Sequence, residues 1–398
     1  MVPFRFLLSE DQTPVAPGSP HWALPLPVAR KAAADTAAAH RLPDGAAPTY
    51  GAYFRSLEEA LGEDRCRPLR DALLRLTGAP PGPADIEAVV IQLLKHGHFY
   101  HPSKVTVRAA GTPHRLALNV ALSADGIDLL PRETAALRRL AEQGDGLGVP
   151  RVLAQGVCAP ARSADRPPGM WFLSPWYDDF HEFHLTRQPD GRLAVGVWDG
   201  APDPPLLSAD QTARLLEGAA RRLTAAVNPH TLAHIFPWHH AAGDFVVRLD
   251  RSGHPALRLV TVREYQPLLP PPEAEVDAEA SLERLLYALA LLVVQAALRL
   301  RVDRLDGVGE VALHPVAVVA PICRGLLDGL VRMRRRWQLP AELDGVLADY
   351  LGTLSPAQIQ DLNHELQGGF APGSPERAAC APHLEAHAEA LHTCLQSP

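Results

Sequence analysis

Residues 86–94 form a run of branched apolar side chains long enough for a strand, and residues 104–109 alternate. In that second stretch Val105 and Val107 share one face, while Thr106 and Arg108 share the other. Lys95-His96-Gly97-His98 supplies turn chemistry between the two, and Gly111-Thr112-Pro113 turns the chain again before RLALNVALS over 115–123. Three consecutive antiparallel strands predict a meander. A helix is expected over 131–143, with Pro131 suited to its first turn. Glu133, Leu137 and Leu140 fall at i, i+4 and i+7, so a carboxylate shares the leucine face. Short strands are expected at 151–154 and 170–173, before Ser174-Pro175-Trp176 ends the sheet.

Upstream, residues 1–45 are rich in Pro and Ala without a sustained period and predict an arm laid on the surface. Tyr53, Leu57, Ala60 and Leu61 have helical spacing, as do Leu69, Leu73 and Leu74, and the Gly/Pro cluster at 78–83 closes that region. Beyond 176 the period changes. Ser208-x-x-Gln211 is a capping-box signature, followed by Leu215, Leu216, Ala219, Ala220, Leu223 and Val227 on one helical face. Two short strands, 245–249 and 257–262, flank the turn residues Asp250-Arg251-Ser252-Gly253. From about 273 the pattern is almost wholly helical. Its most apolar stretch, 285–300, is interrupted by Gln295 and Arg299 and flanked by Glu283, Arg284 and Arg301, which predicts a buried helix and no membrane contact. The expected class is α+β. The expected organisation is an arm (1–45), a sheet-bearing lobe with leading helices (46–175) and a helical lobe (176–398) with a hairpin at 245–262.

Charge narrows the function classes. Lys plus Arg is 38 against 45 for Asp plus Glu, a net charge of −7, so the balance argues against nucleic acid as a partner. The compact basic run Arg332-Met333-Arg334-Arg335-Arg336 reads as a solvated helix face. Cys66, Cys158, Cys323, Cys380 and Cys394 are scattered without a Cys-x-x-Cys pair, which points to a reducing, cytoplasmic setting. The N-terminus lacks the apolar core of a signal peptide.

A meander, a helix after its third strand, two further strands and then a helical mass with one inserted hairpin resembles, over roughly 85–350, the kinase-like fold of the bacterial-type aminoglycoside and choline phosphotransferases. The resemblance implies a two-lobed architecture, ATP and Mg²⁺ as ligands, and a set of positions. The family's strand lysine, which grips phosphates, falls on Asn119, and its helix glutamate on Glu133. The glycine-rich loop falls on residues 95–104, with Lys95, His96 and Lys104 as the anion-binding candidates. The catalytic loop falls on Phe236-Pro237-Trp238-His239-His240-Ala241-Ala242-Gly243-Asp244. Asp244 takes the metal-binding place, His239 the place of the base and His240 lies beside it. The second metal position reads Arg263-Glu264, where Glu264 substitutes if the register slips by one. An asparagine cannot supply the positive charge of the missing lysine, so weak or absent binding of ATP and Mg²⁺ is expected. The resulting expectation is a pseudokinase of altered or lost phosphotransfer chemistry that binds a small molecule or a protein.

Two other readings stay open. Adjacent imidazoles beside a carboxylate suit acid–base work near neutrality, so an active phosphotransferase could use His239 or Asp244 unconventionally. His230, His234, His239, His240 and Asp244 are also ligand types that zinc accepts, which leaves a metal-dependent hydrolase. The segment His181-Glu182-Phe183-His184 spaces its imidazoles three apart and reads as structural.

Overall fold

A computed structural model describes residues 2–9, 12–27, 48–82, 84–97, 99–144, 147–160, 168–201, 203–236, 238, 241–272, 278–366 and 369–396. It is of mixed α+β class and divides into two compact units, Met1–Arg138 with Pro150–Asp178, and Arg139–Val149 with Asp179–Pro398.

The first unit contains β1 (Phe4–Leu8), β2 (Thr13–Val15), α1 (Tyr50–Thr77), β3 (Ile86–Leu93), β4 (His101–Ala109), β5 (Thr112–Ala121), most of α2 (Ala124–Glu142), β6 (Ala154–Cys158) and β7 (Gly169–Pro175). Its seven strands form one sheet in the order β2-β1-β3-β4-β5-β7-β6, antiparallel throughout except for the parallel pair β1–β3. Strict alternation explains the layering. Val105, Val107, Leu116, Leu118 and Val120 are buried on the face that forms a core with Tyr53, Phe54, Leu57, Leu61 and Leu69 of α1. α1 is two helical pieces. Its backbone departs from helix over Glu63 to Cys66, with Asp64, Arg65 and Cys66 in the left-handed region, which matches the two separate helical spacings of the sequence.

The expected arm is in part a strand pair. Phe4 to Leu8 lies beside Val89 to Leu93, and Phe6 stacks on Phe54 with centroids 4.7 Å apart. Residues 28–47 of that arm lie outside the described residues. The strands and helix of the meander stand where the hydrophobic period puts them, with α2 starting seven residues earlier than expected, at Ala124 instead of Pro131.

The second unit opens with the hairpin β8 (Glu182–Arg187) and β9 (Leu193–Trp198), which the sequence reading did not foresee. There follow α3 (Ala209–Ala225), β10 (Ala233–Ile235), α4 (Ala241–Asp244), β11 (Phe245–Leu249), β12 (Pro255–Leu259) and β13 (Tyr265–Pro267). Next come α5 (Ala278–Arg299), β14 (Val302–Arg304), β15 (Val311–Leu313), α6 (Val319–Arg336), α7 (Glu342–Gly352), α8 (Pro356–Leu366), α9 (Pro375–Cys380) and α10 (Leu384–Leu395). Ser208 caps α3 as foreseen: its hydroxyl accepts from Gln211 N at 3.2 Å, and Ser208 N donates to the Gln211 side chain at 2.8 Å. The apolar helix α5 is long and apolar enough to cross a membrane. In the fold it is a core helix, with Leu289, Val293, Val294, Ala297 and Leu298 fully buried. The basic run at the end of α6 is tied down by ion pairs, Arg332 to Asp328 at 3.2 Å and Arg334 to Asp344 at 2.8 Å.

Candidate functional site

In the first unit, register decides which polar side chains become neighbours. Gln92 pairs with Lys104, Lys104 with Ala117 and Ala117 with Ser174, so these four make one row across β3, β4, β5 and β7. Two residues along, Pro102, Asn119, Phe172 and Gln155 make the next row on the same face. This is the face opposite the α1 core. Lys104 and Asn119 are half-buried there, and Ser174 is buried. The Lys104 ammonium sits 5.1 Å from the Trp176 ring centroid, a cation–π distance. At the adjoining edge Arg115 pairs with Asp178 at 2.9 Å.

Glu133 enters the same neighbourhood from α2. It is fully buried, as its place among the leucines requires, and the Tyr100 hydroxyl donates to its Oε2 at 2.7 Å. Tyr100 in turn meets Phe172 edge-on at 6.2 Å. The 95–100 turn that carries Tyr100 is fixed at both ends. Gly97 N donates to Tyr100 O at 2.9 Å, and Leu94 N to Pro102 O at 3.0 Å. The Phe99 carbonyl packs so tightly on the first turn of α2 that a Cβ on Gly126 would lie 2.3 Å from it.

The five predicted ligand positions therefore separate. Lys104, Asn119 and Glu133 belong to the polar face, through the two rows and the Tyr100–Phe172 contact. His96 does not. It turns toward α1, where its Nε2 is 3.0 Å from the Tyr50 hydroxyl and its Nδ1 is 3.0 Å from His101 Nδ1. Burial lowers the pKa of His96, and takes that of His101 to about 3 with help from the neighbouring ring. A hydrogen bond between two ring nitrogens needs at least one unprotonated imidazole, and the lowered pKa values favour the uncharged form of both, so this pair reads as structural. Lys95 is exposed at the start of the turn. Sequence reasoning missed Tyr100, Ser174, Trp176 and Gln92 as site members. β7 follows β6 in the chain yet pairs with β5, and only that pairing brings Ser174 beside Ala117.

In the second unit, His239 and His240 lie outside the described residues, as does Pro237. Asp244 ends the single turn α4. It is 1% exposed, and its Oδ1 pairs with Arg263 Nη2 at 3.1 Å. Arg299 is a second guanidinium within its electrostatic reach. Arg299 is buried over the rings of Phe236, Trp238 and Phe370, at 5.4, 5.2 and 4.4 Å, and donates to Trp238 O at 2.8 Å. Burial lowers its pKa to about 10, and the Asp244 carboxylate opposes that shift. Asp244 thus serves as counter-ion to arginine. Glu264 is half-buried, and its backbone carbonyl accepts from Phe236 N at 3.2 Å. Among the described residues no group of three or more His, Cys, Asp or Glu is arranged to hold a metal ion, and His239 and His240 lie outside those residues.

The other histidines of the hydrolase reading have structural partners. His234 Nδ1 lies 2.9 Å from Gln266 O, and its ring stacks on Phe236 at 5.4 Å, with burial lowering its pKa to about 4. His230 packs edge-on against Trp337. His184 is 3.3 Å from Asp303, in agreement with a structural role for that segment.

Set against known proteins, the chain matches no protein-family model and no curated protein.

Proposed function

We propose that this chain is a kinase-like protein of altered or lost phosphotransfer chemistry, a pseudokinase that binds a small molecule or a protein through the polar face of its seven-stranded sheet. The observation that carries the reading is the conjunction on that face. Asn119 stands on the third strand of the meander, and a buried glutamate, Glu133, stands on the helix that follows it. In kinases the strand position is a lysine, and the helix glutamate orients it toward the phosphates. Here the strand offers an amide, and the glutamate receives a phenol hydroxyl. The carboxylate survives as a buried hydrogen-bonding post while the cation it would orient is absent from β5.

The face retains chemistry for recognition. Lys104 supplies a cation, Trp176 a ring on which a planar group can stack, and Asn119, Ser174 and Gln92 supply amide and hydroxyl groups. That set suits an anion joined to a planar or polar body, with affinity spread over several modest contacts. An enzyme using Asp244 as its metal ligand would first have to withdraw that carboxylate from Arg263. The five cysteines are free thiols, which suits the cytoplasmic setting proposed for the chain.

The experiment is a calorimetric titration of ATP·Mg²⁺ into the full chain and into Asn119→Lys. The loss of one charge-assisted contact of about 1.5–3 kcal/mol corresponds to roughly 10–150-fold in affinity. Weak or absent binding by the parent is expected, with the variant equal or tighter.

A further inference from the structure

Arg301 follows α5 and is 3% exposed. Its Nε and Nη2 both donate to His314 O, at 3.1 and 3.0 Å, while Nη1 is buried and meets no protein acceptor among the described residues. His387 on α10 is fully buried, and neither of its ring nitrogens has a hydrogen-bond partner among the described residues. The two belong to one neighbourhood: Leu298 and Val302, on either side of Arg301, pack with Leu384, one turn before His387 on α10. Burial chiefly, and then the Arg301 charge, lowers the His387 pKa to about 3.

A buried guanidinium needs a counter-charge, because an isolated ion in a low-dielectric interior is costly. The nearby acids are committed elsewhere. Asp303 accepts from Leu185 N at 2.7 Å and Arg304 N at 2.8 Å and lies against His184, and Glu376 pairs with Arg304 at 2.6 Å. The Cys380 thiol is close enough for Arg301 to act on it, but burial pushes its pKa up to about 11, so at neutral pH it is not a thiolate. Leu298, Val302, Cys380 and Leu384 form an apolar cluster here, which disfavours a strongly hydrated oxyanion.

From Arg301 Nη1 and the His387 imidazole, both buried and unpartnered, we infer that the second unit encloses a binding site for one small monovalent anion of the halide type. The guanidinium supplies the charge, and an imidazole N–H supplies a second donor. A bridging water could satisfy the same atoms. It would leave the charge of Arg301 uncompensated, and this is the ground for choosing an anion.

The test uses the full-length protein. Its melting temperature is followed from 0 to 200 mM sodium chloride, with sodium gluconate holding ionic strength constant. In parallel, crystals soaked in sodium bromide are searched for anomalous scattering. A saturable rise of about 2–4 °C with chloride is expected if the site fills to roughly tenfold its dissociation constant. The rise should be lost in His387→Phe, which keeps bulk and removes the donor, and a bromide peak should lie within hydrogen-bond distance of Arg301 Nη1. If His387→Phe does not fold, the bromide map of the parent decides alone. A flat chloride response with no bromide at Arg301, or a response that His387→Phe retains in full, overturns the assignment.

Discussion

The Tyr100–Glu133 contact sets the local chemistry of the polar face. Glu133 is fully buried, and a hydrogen bond to an ionised or buried acceptor is worth more than one at the surface. Tyr100→Phe keeps the ring against Phe172 and removes only the hydroxyl, so a loss of about 1–3 kcal/mol in urea-unfolding stability is expected. A loss under about half a kcal/mol would mean that the phenol does not hold the carboxylate. On the opposite side of the sheet, the His96–His101 pair has a pH consequence. Both pKa values lie below that of free histidine, mainly through burial, so the folded state favours neutral rings. The unfolded chain then binds more protons below about pH 6.5. Stability from this pair is fully present above that pH and is lost as pH falls toward the folded value of about 3 for His101. By pH 5 the buried His101 alone should account for a loss of about 2 kcal/mol. His101→Asn should show a shallower acid slope than the parent between pH 7 and 5; an unchanged slope contradicts the burial argument.

At the scale of elements, the clearest expectation concerns α5. Leu289 is fully buried in it, so Leu289→Ala should cost about 2–5 kcal/mol, read as a lower urea midpoint with an unchanged slope. A cost under about half a kcal/mol would place this face at the surface. Much of this level was legible in the sequence. Alternation in 104–109 and 115–123 located β4 and β5, and the Ser208 signature located the start of α3. Several short strands escaped, β14 and β15 within the region expected to be almost wholly helical among them, and in two cases the reason is identifiable. β1 is five residues long, followed by a Pro/Ala-rich tract, and gains its stability from the parallel pairing with β3, a long-range contact that local periodicity does not carry. The β8–β9 hairpin had a signal in the alternating EFHLTR and in Pro189-Asp190-Gly191 at its turn, but the period change near 176 drew attention to helices. The candidate site was legible residue by residue and not as an assembly. Asn119 and Glu133 could be singled out through the family resemblance, and Lys104 through its place in the 95–104 segment. Their shared face depends on the register of β4, β5 and β7, and His96 was misplaced because its partners Tyr50 and His101 come from separate elements.

For the whole molecule, the two compact units have separate polar centres of different character. The sheet unit displays a half-buried cation, an amide and a ring on one face, next to a buried carboxylate. The helical unit encloses Asp244 and its arginines, where the opposite charges neutralise one another. A phosphotransferase needs a phosphate-gripping cation and a metal-binding carboxylate at once. The first position is asparagine, and the second is engaged by Arg263. Both departures act in the same direction, and they are what motivates the proposal of ligand binding without efficient phosphotransfer. Calorimetry of the intact chain with ATP·Mg²⁺ tests this most directly. The account predicts weak or undetectable binding by the parent and equal or tighter binding by Asn119→Lys, within the roughly 10–150-fold that one charge-assisted contact can give. Tight, saturable ATP·Mg²⁺ binding by the unmodified chain, together with weakened binding by Asn119→Lys, would contradict it.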